Sequence, residues 1–338
     1  MPSIKGNINN IVRGLVEKIG FLLNPIVLNV KGEDNQLLIF YFHGLYRSLK
    51  QKDLNHIDPQ KNMTVNQFDD FIDYFLNHNY SFVKPEDLLG ELNVNQHYAM
   101  ITFDDGYFNN VLAVEKLRRY KIPAIFFITP KNILENKSFW WDIIYKNRYK
   151  QGTSIEKITK EQEYLKKFKH NYIEEYIKQN FGLQSYKPWS DIDRPLTEIE
   201  VKILSQDPFI SFGNHTFNHA ILINYNREEV EEEFINSNKF LDDLTGTTPI
   251  SVAFPNGSYN KLTLDVAEKV GFIFAFNAEP KKNYLPSKKG SLVCLNRFIA
   301  TTNKIEKYGS FYRLGYTPGS IYSNIRGSLD HLLNKIIL

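Results

Sequence analysis

Short apolar runs alternate with helical stretches along most of this chain, and that rhythm constrains the fold more than any other feature. Gln36–Phe42 (QLLIFYF), Tyr98–Phe103 and Ala124–Thr129 (AIFFIT) lack the polar alternation of a half-exposed strand, so each is predicted to be a strand buried on both faces. Helical patterns at Gln67–His78 and Asn109–Tyr120 separate them. Farther on, strands at Phe209–Phe212, Ile250–Phe254 and Phe272–Asn277 alternate with helices at Arg227–Leu244 and Lys261–Val270. Strand, helix, strand in this order predicts parallel βαβ units and an α/β fold. Between about residues 132 and 206 the rhythm breaks into a Lys-, Glu- and Tyr-rich helical stretch. Such a stretch reads as an insertion on the catalytic rim of a barrel, where loops carry specificity.

The flanks divide the chain further. Residues 1–35 form an N-terminal helical segment, 36–302 the barrel, and 303–338 a C-terminal extension ending in an amphipathic helix, Tyr322–Ile337. Ile11–Val30 is apolar, but Arg13, Glu17 and Lys18 interrupt it, which argues against a secretory or membrane-spanning segment. The expectation is an amphipathic helix docked on the domain, with contact to a membrane surface through residues 11–30 as the sharper alternative. That places the protein in the cytoplasm, with the inner membrane face as its peripheral site.

Composition removes several function classes. Hydrophobic residues at 42% and charged residues at 23% exclude disordered, collagen-like and coiled-coil chains. A net charge of +3, with no Lys/Arg run longer than two, argues against nucleic acid as a partner. The single cysteine, Cys294, excludes an internal disulfide and a zinc site built on several thiolates.

Three predicted strands end in ionisable residues. Thr102-Phe103-Asp104-Asp105-Gly106 leads from a strand into two adjacent carboxylates, and Gly106 permits the sharp turn that lets both reach one pocket. Like charges so close need a cation or a proton between them, although an Asp–Asp–Gly turn also arises by chance. His215 and His219 are four apart and share a face if a helical turn begins there, a spacing that suits one metal ion; two surface histidines are the plainer reading. With Asp105 they make a set of two imidazoles and one carboxylate that leaves positions open for water and substrate. His43 closes a very apolar strand at the end where barrel sites lie. The Pro255-Asn256-Gly257 turn exposes backbone N–H groups as oxyanion donors. Arg297, between apolar neighbours, wants a carboxylate partner if half-buried. Trp140, Trp141 and Tyr259 are candidates for stacking on sugar faces, with core packing as the alternative.

Together these residues resemble the polysaccharide deacetylase superfamily, the carbohydrate esterases with a nodulation-type deacetylase domain. Thr102–Gly106 matches its T-F-D-D-G motif and His215–His219 its H-[ST]-x-x-H motif, both complete. The resemblance implies a distorted (β/α) barrel of about seven parallel strands with a helical insertion. It implies Asp104 as general base, and Asp105, His215 and His219 as ligands of a divalent metal, zinc ahead of cobalt, nickel, manganese or iron. Two departures stand out: Val252, Ala253 and Phe254 precede Pro255 where an Arg is usual, and the late Leu-x-His is missing. A circularly permuted subgroup that includes the poly-N-acetylglucosamine deacetylases is more similar. There an early strand ends in the catalytic His, matching His43, and a late strand carries an Arg, matching Arg297. The implied activity is removal of an N-acetyl group from a saccharide or saccharide precursor for capsule, O-antigen or a related glycan, with release of acetate. A non-catalytic carbohydrate-binding barrel, or a hydrolase for an O-acetyl or formyl group, are the alternatives.

Overall fold

A computed structural model of the chain describes residues 4–33, 36–59, 63–284, 292–300, 305–321 and 323. Helix α1 (Ile4–Lys31) comes first. Strand β1 (Gln36–Phe42) follows, then helix α2 (Val65–Asn77), whose N-terminus is closed by a reciprocal Thr64–Gln67 capping box. Next come β2 (Tyr80–Phe82), β3 (His97–Phe103), α3 (Val111–Tyr120) and β4 (Ala124–Ile128). The stretch after β4 holds α4 (Trp140–Lys150), α5 (Ile155–Leu165) and α6 (His170–Phe181). The chain then forms β5 (Ile210–Asn214), α7 (Arg227–Thr245), β6 (Ser251–Ala253), α8 (Lys261–Val270) and β7 (Phe274–Phe276). Last are β8 (Asn283–Tyr284), β9 (Val293–Leu295), β10 (Phe298–Ile299) and α9 (Ile305–Leu314). The predicted terminal helix Tyr322–Ile337 lies almost wholly outside the described residues.

Seven strands pair side by side and parallel in the order β1-β3-β4-β5-β6-β7-β9. Strand β10 then pairs, also parallel, with Phe40 and Tyr41 on the other edge of β1, the edge whose Gln36 and Leu37 pair antiparallel with β8. The ring is therefore nearly closed, and its seam falls between β9 and β10, where Asn296 and Arg297 carry the chain across. Asn283 stitches that seam: its side chain donates to Leu37 O (3.3 Å) and Asn296 O (2.9 Å), and accepts from Asn296 N (2.9 Å). Neither β9 nor β10 shows in the hydrophobic pattern, because runs of three and two residues are too short to set a period.

The strands are apolar throughout because both faces are covered. Leu37 and Ile39 point to one buried cluster with Met100, Phe127 and Phe276, while Leu38, Phe40 and Phe42 point to another with Phe68, Phe71 and Phe75 of α2. Phe139, Trp140, Trp141, Ile158 and Leu165 anchor a third cluster under the insertion. Helix α1 docks on α9, with Gly20 so close to the Phe311 ring that a Cβ there would lie 2.3 Å from it. Its other face leaves Leu15, Ile19, Leu22, Ile26 and Val30 exposed, one continuous helical stripe. No described helix is long and apolar enough to cross a membrane.

Candidate active site

Parallel strands all release the chain at the same end, so residues just beyond their last positions meet there. Asp104 and Asp105 follow β3. Positive φ at Asp105 (74°) and Gly106 (86°) bends the backbone so that neighbouring carboxylates, which a continuing strand would send to opposite faces, enter one cavity. A Cβ at Gly106 would sit 3.0 Å from Ile128 Cγ2, so glycine is needed for space as well as for φ.

His215 and His219 converge on Asp105, though not by the helical turn expected. Residues 215–219 are a loop, with Thr216 (φ 60°) and His219 (φ 52°) both left-handed. Side chains replace the missing helical bonds: Asn214 Oδ1 accepts from Thr216 N (2.8 Å), Thr216 Oγ1 from Ala220 N (2.7 Å), and Glu233 from Asn218 N (2.9 Å). The two rings meet as the spacing suggested, but through a loop rather than a helical turn.

Asp105 Oδ1 lies 3.4 Å from His215 Nε2 and 3.3 Å from His219 Nε2. The ligand atoms of the three residues all fall within 4.8 Å of one another. Nδ1 of His215 bonds Ala253 O at 2.8 Å; a carbonyl can only accept, so Nδ1 carries the hydrogen. That leaves Nε2 of His215 to face Asp105, as a lone pair open to a cation or, when it carries a proton, as a donor to the carboxylate. Burial opposes the charge on Asp105, but the flanking His215 and His219, together with His43, hold its carboxyl well below the usual range. Burial pushes His219 below its ordinary value, against the pull of Asp105, and so favours the neutral ring. Asp105 Oδ2 is buried with no protein partner. One carboxylate and two imidazoles whose ligand atoms lie this close are the donor set a divalent cation takes.

Arg297 finds its carboxylate. Nη1 and Nη2 donate to Asp104 Oδ1 (2.7 Å) and Oδ2 (2.9 Å), Nη1 also to Thr102 Oγ1 (3.0 Å), and Nε to Asn277 O (2.9 Å). The guanidinium is about 1% exposed and lies 4.7 Å from the centre of the Tyr41 ring. Such a forked, fully bonded pair fixes Asp104 in position. His43 faces the same cavity, edge-on to Tyr41, its Nδ1 buried without a protein partner. Behind it Asn110 donates to His43 O (2.6 Å) and Asn109 accepts from Leu45 N (3.1 Å), a clamp that the sequence reading did not single out.

The cavity measures about 510 Å³ and is lined also by Trp140, Trp141, Asn256 and Gly257. Trp141 is mostly spent on packing: its ring stacks on Phe139, lies 4.5 Å from His219, and Nε1 donates to Tyr107 Oη (2.8 Å). Asn256 takes φ 58°, the kink that turns this loop at the cavity edge. Tyr259 is elsewhere: its ring stacks on Phe254 and its hydroxyl donates to Glu279 (3.2 Å), so the sugar-stacking expectation does not suit it. Asp58, Gln162, Glu163 and Lys166 also line the cavity and were missed, because nothing in their local sequence separates them from ordinary surface polar residues.

The profile of the polysaccharide deacetylase family matches residues 91–275, more than half of the chain. YxkH of Bacillus subtilis, by name a candidate polysaccharide deacetylase, is 32% identical over 85 residues, which cover 25% of this chain and 30% of that protein's length. The Streptococcus pyogenes deacetylase PplD, solved in complex with acetate, superposes with a TM-score of 0.54 at 17% identity, over 80% of this chain and 94% of its own. IcaB from Ammonifex degensii gives 0.53 at 15% identity, over 83% and 98%. At these identities the solved structures establish the shared fold. Asp104, Asp105, His215 and His219 fall inside the matched segment, whereas His43 and Arg297 lie beyond its two ends.

Proposed function

The chain belongs to the polysaccharide deacetylase family, and from that premise we propose that it hydrolyses an N-acetyl group on an amino sugar, with Asp105, His215 and His219 holding a divalent cation, zinc foremost. The observation that carries this reading is the convergence at one cavity floor of the Asp105–His215–His219 set and the Arg297-bound Asp104. Amide hydrolysis is slow because water is a poor nucleophile and an amine a poor leaving group. A cation held there would supply Lewis acidity, bringing the pKa of its water down to about 7.

The chain's own residues do the rest. Asp104, kept anionic and oriented by Arg297, takes a proton from water as the water oxygen bonds to the acetyl carbon. The backbone N–H of Asn256 faces the charge that develops on the carbonyl oxygen. His43, protonated, donates to the sugar nitrogen as the C–N bond breaks, leaving acetate and a free amine. Contact of α1 with an anionic membrane face belongs to the same proposal, supported by its exposed apolar stripe and by Arg13, Lys18 and Lys31 against Glu17. A saccharide precursor met at the inner membrane face is the substrate this placement favours.

Asp104→Asn keeps the shape of the site and removes the base. Acetate release from N-acetylated saccharides should fall about 10²–10⁴-fold, while bound metal stays near stoichiometric. Retention of most activity would remove Asp104 from this role, and release from O-acetyl or N-formyl sugars alone would replace the proposed acyl group.

A further inference from the structure

The two histidines of the proposed metal set each have a second ring nitrogen, and the two nitrogens are served differently. His215 spends its Nδ1 hydrogen on Ala253 O (2.8 Å). Nδ1 of His219 is buried and bonds no protein atom. A neutral histidine that ligates through Nε2 carries its hydrogen on Nδ1, and such an N–H almost always meets a carboxylate, a carbonyl or a water.

A second, much smaller cavity lies behind this ring. His219, Trp140 and Trp141 line both spaces, so they form the partition between them. Nε2 of His219 is on the Asp105 side (3.3 Å), which turns Nδ1 toward the smaller space. The far wall there is polar. His170 and Glu174 line it, four apart on α6 and therefore on one helix face. Nε2 of His170 lies 3.3 Å from Glu174 Oε1, out of line for a hydrogen bond, and is the second buried ring nitrogen beside this cavity without one. Glu174 is ionised: the neighbouring His170, helped by Lys131 and Lys137 and opposed by burial, holds its carboxyl down at about 2. The space measures about 20 Å³. One water needs about 10–15 Å³ and two to four polar partners. Two buried nitrogens and a carboxylate around a cavity of this size meet both conditions.

We propose that one water in this cavity accepts the Nδ1 hydrogen of His219 and donates to Glu174, with His170 Nε2 as its third neighbour, which makes Glu174 a positioning residue for His219. The inference rests on the metal reading of Asp105, His215 and His219, and adds what fixes the third ligand. Ala253 O does this for His215 by direct contact. For His219 the helical insertion does it through a water, and so keeps the Nε2 lone pair aimed beside Asp105.

The test measures zinc binding alone, by chelator competition on the full chain without substrate. Glu174→Ala removes the acceptor and should raise the zinc dissociation constant about 10–100-fold. Glu174→Gln removes the charge but keeps an oxygen for the water, and should lose far less. If Gln weakens zinc as much as Ala does, the charge acts at a distance and the bridge is overturned. Zinc held by the Ala variant as tightly as by wild type sinks the role of Glu174. A wild type that takes up no zinc overturns the metal reading itself. A crystal structure of the zinc-loaded wild type gives the direct view, with one ordered water expected within about 3.2 Å of both His219 Nδ1 and a Glu174 oxygen. A His219 Nδ1 bonded directly to protein, or no water between these groups, overturns the bridge and leaves the metal set intact.

Discussion

The guanidinium of Arg297 and the carboxylate of Asp104 are both removed from water, so each depends on the other. Dehydrating two ions costs several kcal/mol apiece, and the forked contact with support from Thr102 and Asn277 recovers that cost only while both partners remain. Arg297→Met leaves Asp104 buried and unpaired and should lower unfolding free energy by about 3–5 kcal/mol. Arg297→Met combined with Asp104→Asn should be less damaging than the two changes summed, by about 0.5–3 kcal/mol. Urea denaturation of the four proteins measures this cycle, and strict additivity would show that the pair is not coupled. The same reasoning explains why Arg297 is buried here at all: its guanidinium and the Asp104 carboxylate are each other's partner inside an apolar floor.

Helix α4 is the element on which the site wall rests. Every residue from Trp140 to Lys146 is buried, which a helix achieves only when packed on all sides. Its polar members are therefore paired: Lys146 with Asp193 at 2.6 Å, and Asp142 with the Tyr107 hydroxyl at 2.6 Å and the Asp58 backbone. Asp142 has no cation beside it. Burial, and then the nearby charges of Asp58 and Asp193, push its carboxyl well above the ordinary value of 3.8, so the folded protein holds the acid form where the unfolded chain has lost the proton. The stability this group contributes is complete below pH 3.8 and is lost as the pH rises toward its folded value. Asp142→Asn should thus gain on the wild type as the pH is raised, by about 1.4 kcal/mol per unit within that window. Parallel pH dependences of the two thermal midpoints would mean that Asp142 is ionised in the fold.

At the scale of the whole molecule, the proposed metal-ligand set, Asp105, His215 and His219, joins two strand exits, after β3 and after β5, and Ala253 O of β6 orients one of its rings. A cation bound there cross-links parts of the barrel that the unfolded chain holds far apart, so binding should appear as global stability. Zinc at about one hundred times its dissociation constant should add about 2.7 kcal/mol. A chelator should reverse the gain, and His219→Ala should abolish most of it. A thermal midpoint indifferent to zinc in the wild type would refute the set as a metal site, independently of any activity. Arg297 and Asp104, 193 residues apart, likewise meet only because β9 and β10 bring the seam beside β1 and β3.

Local order was legible in the residues alone. Strands with two apolar faces, amphipathic helices and the turn demanding glycine at Gly106 are set by interactions over a few positions, so, while the barrel entered through the family resemblance, the parallel α/β order and the strand-end carboxylates could be read directly. So could the pairing of His215 with His219, although the loop that joins them could not, because its turns depend on Asn214, Thr216 and the distant Glu233. Choice among distant partners belongs to the closed ring. Nothing near Arg297 specifies Asp104, nothing in α5 specifies the cavity, and nothing near Tyr259 turns its ring away. Those outcomes follow from which strand ends the barrel sets side by side, where burial makes each charge take the one partner within reach.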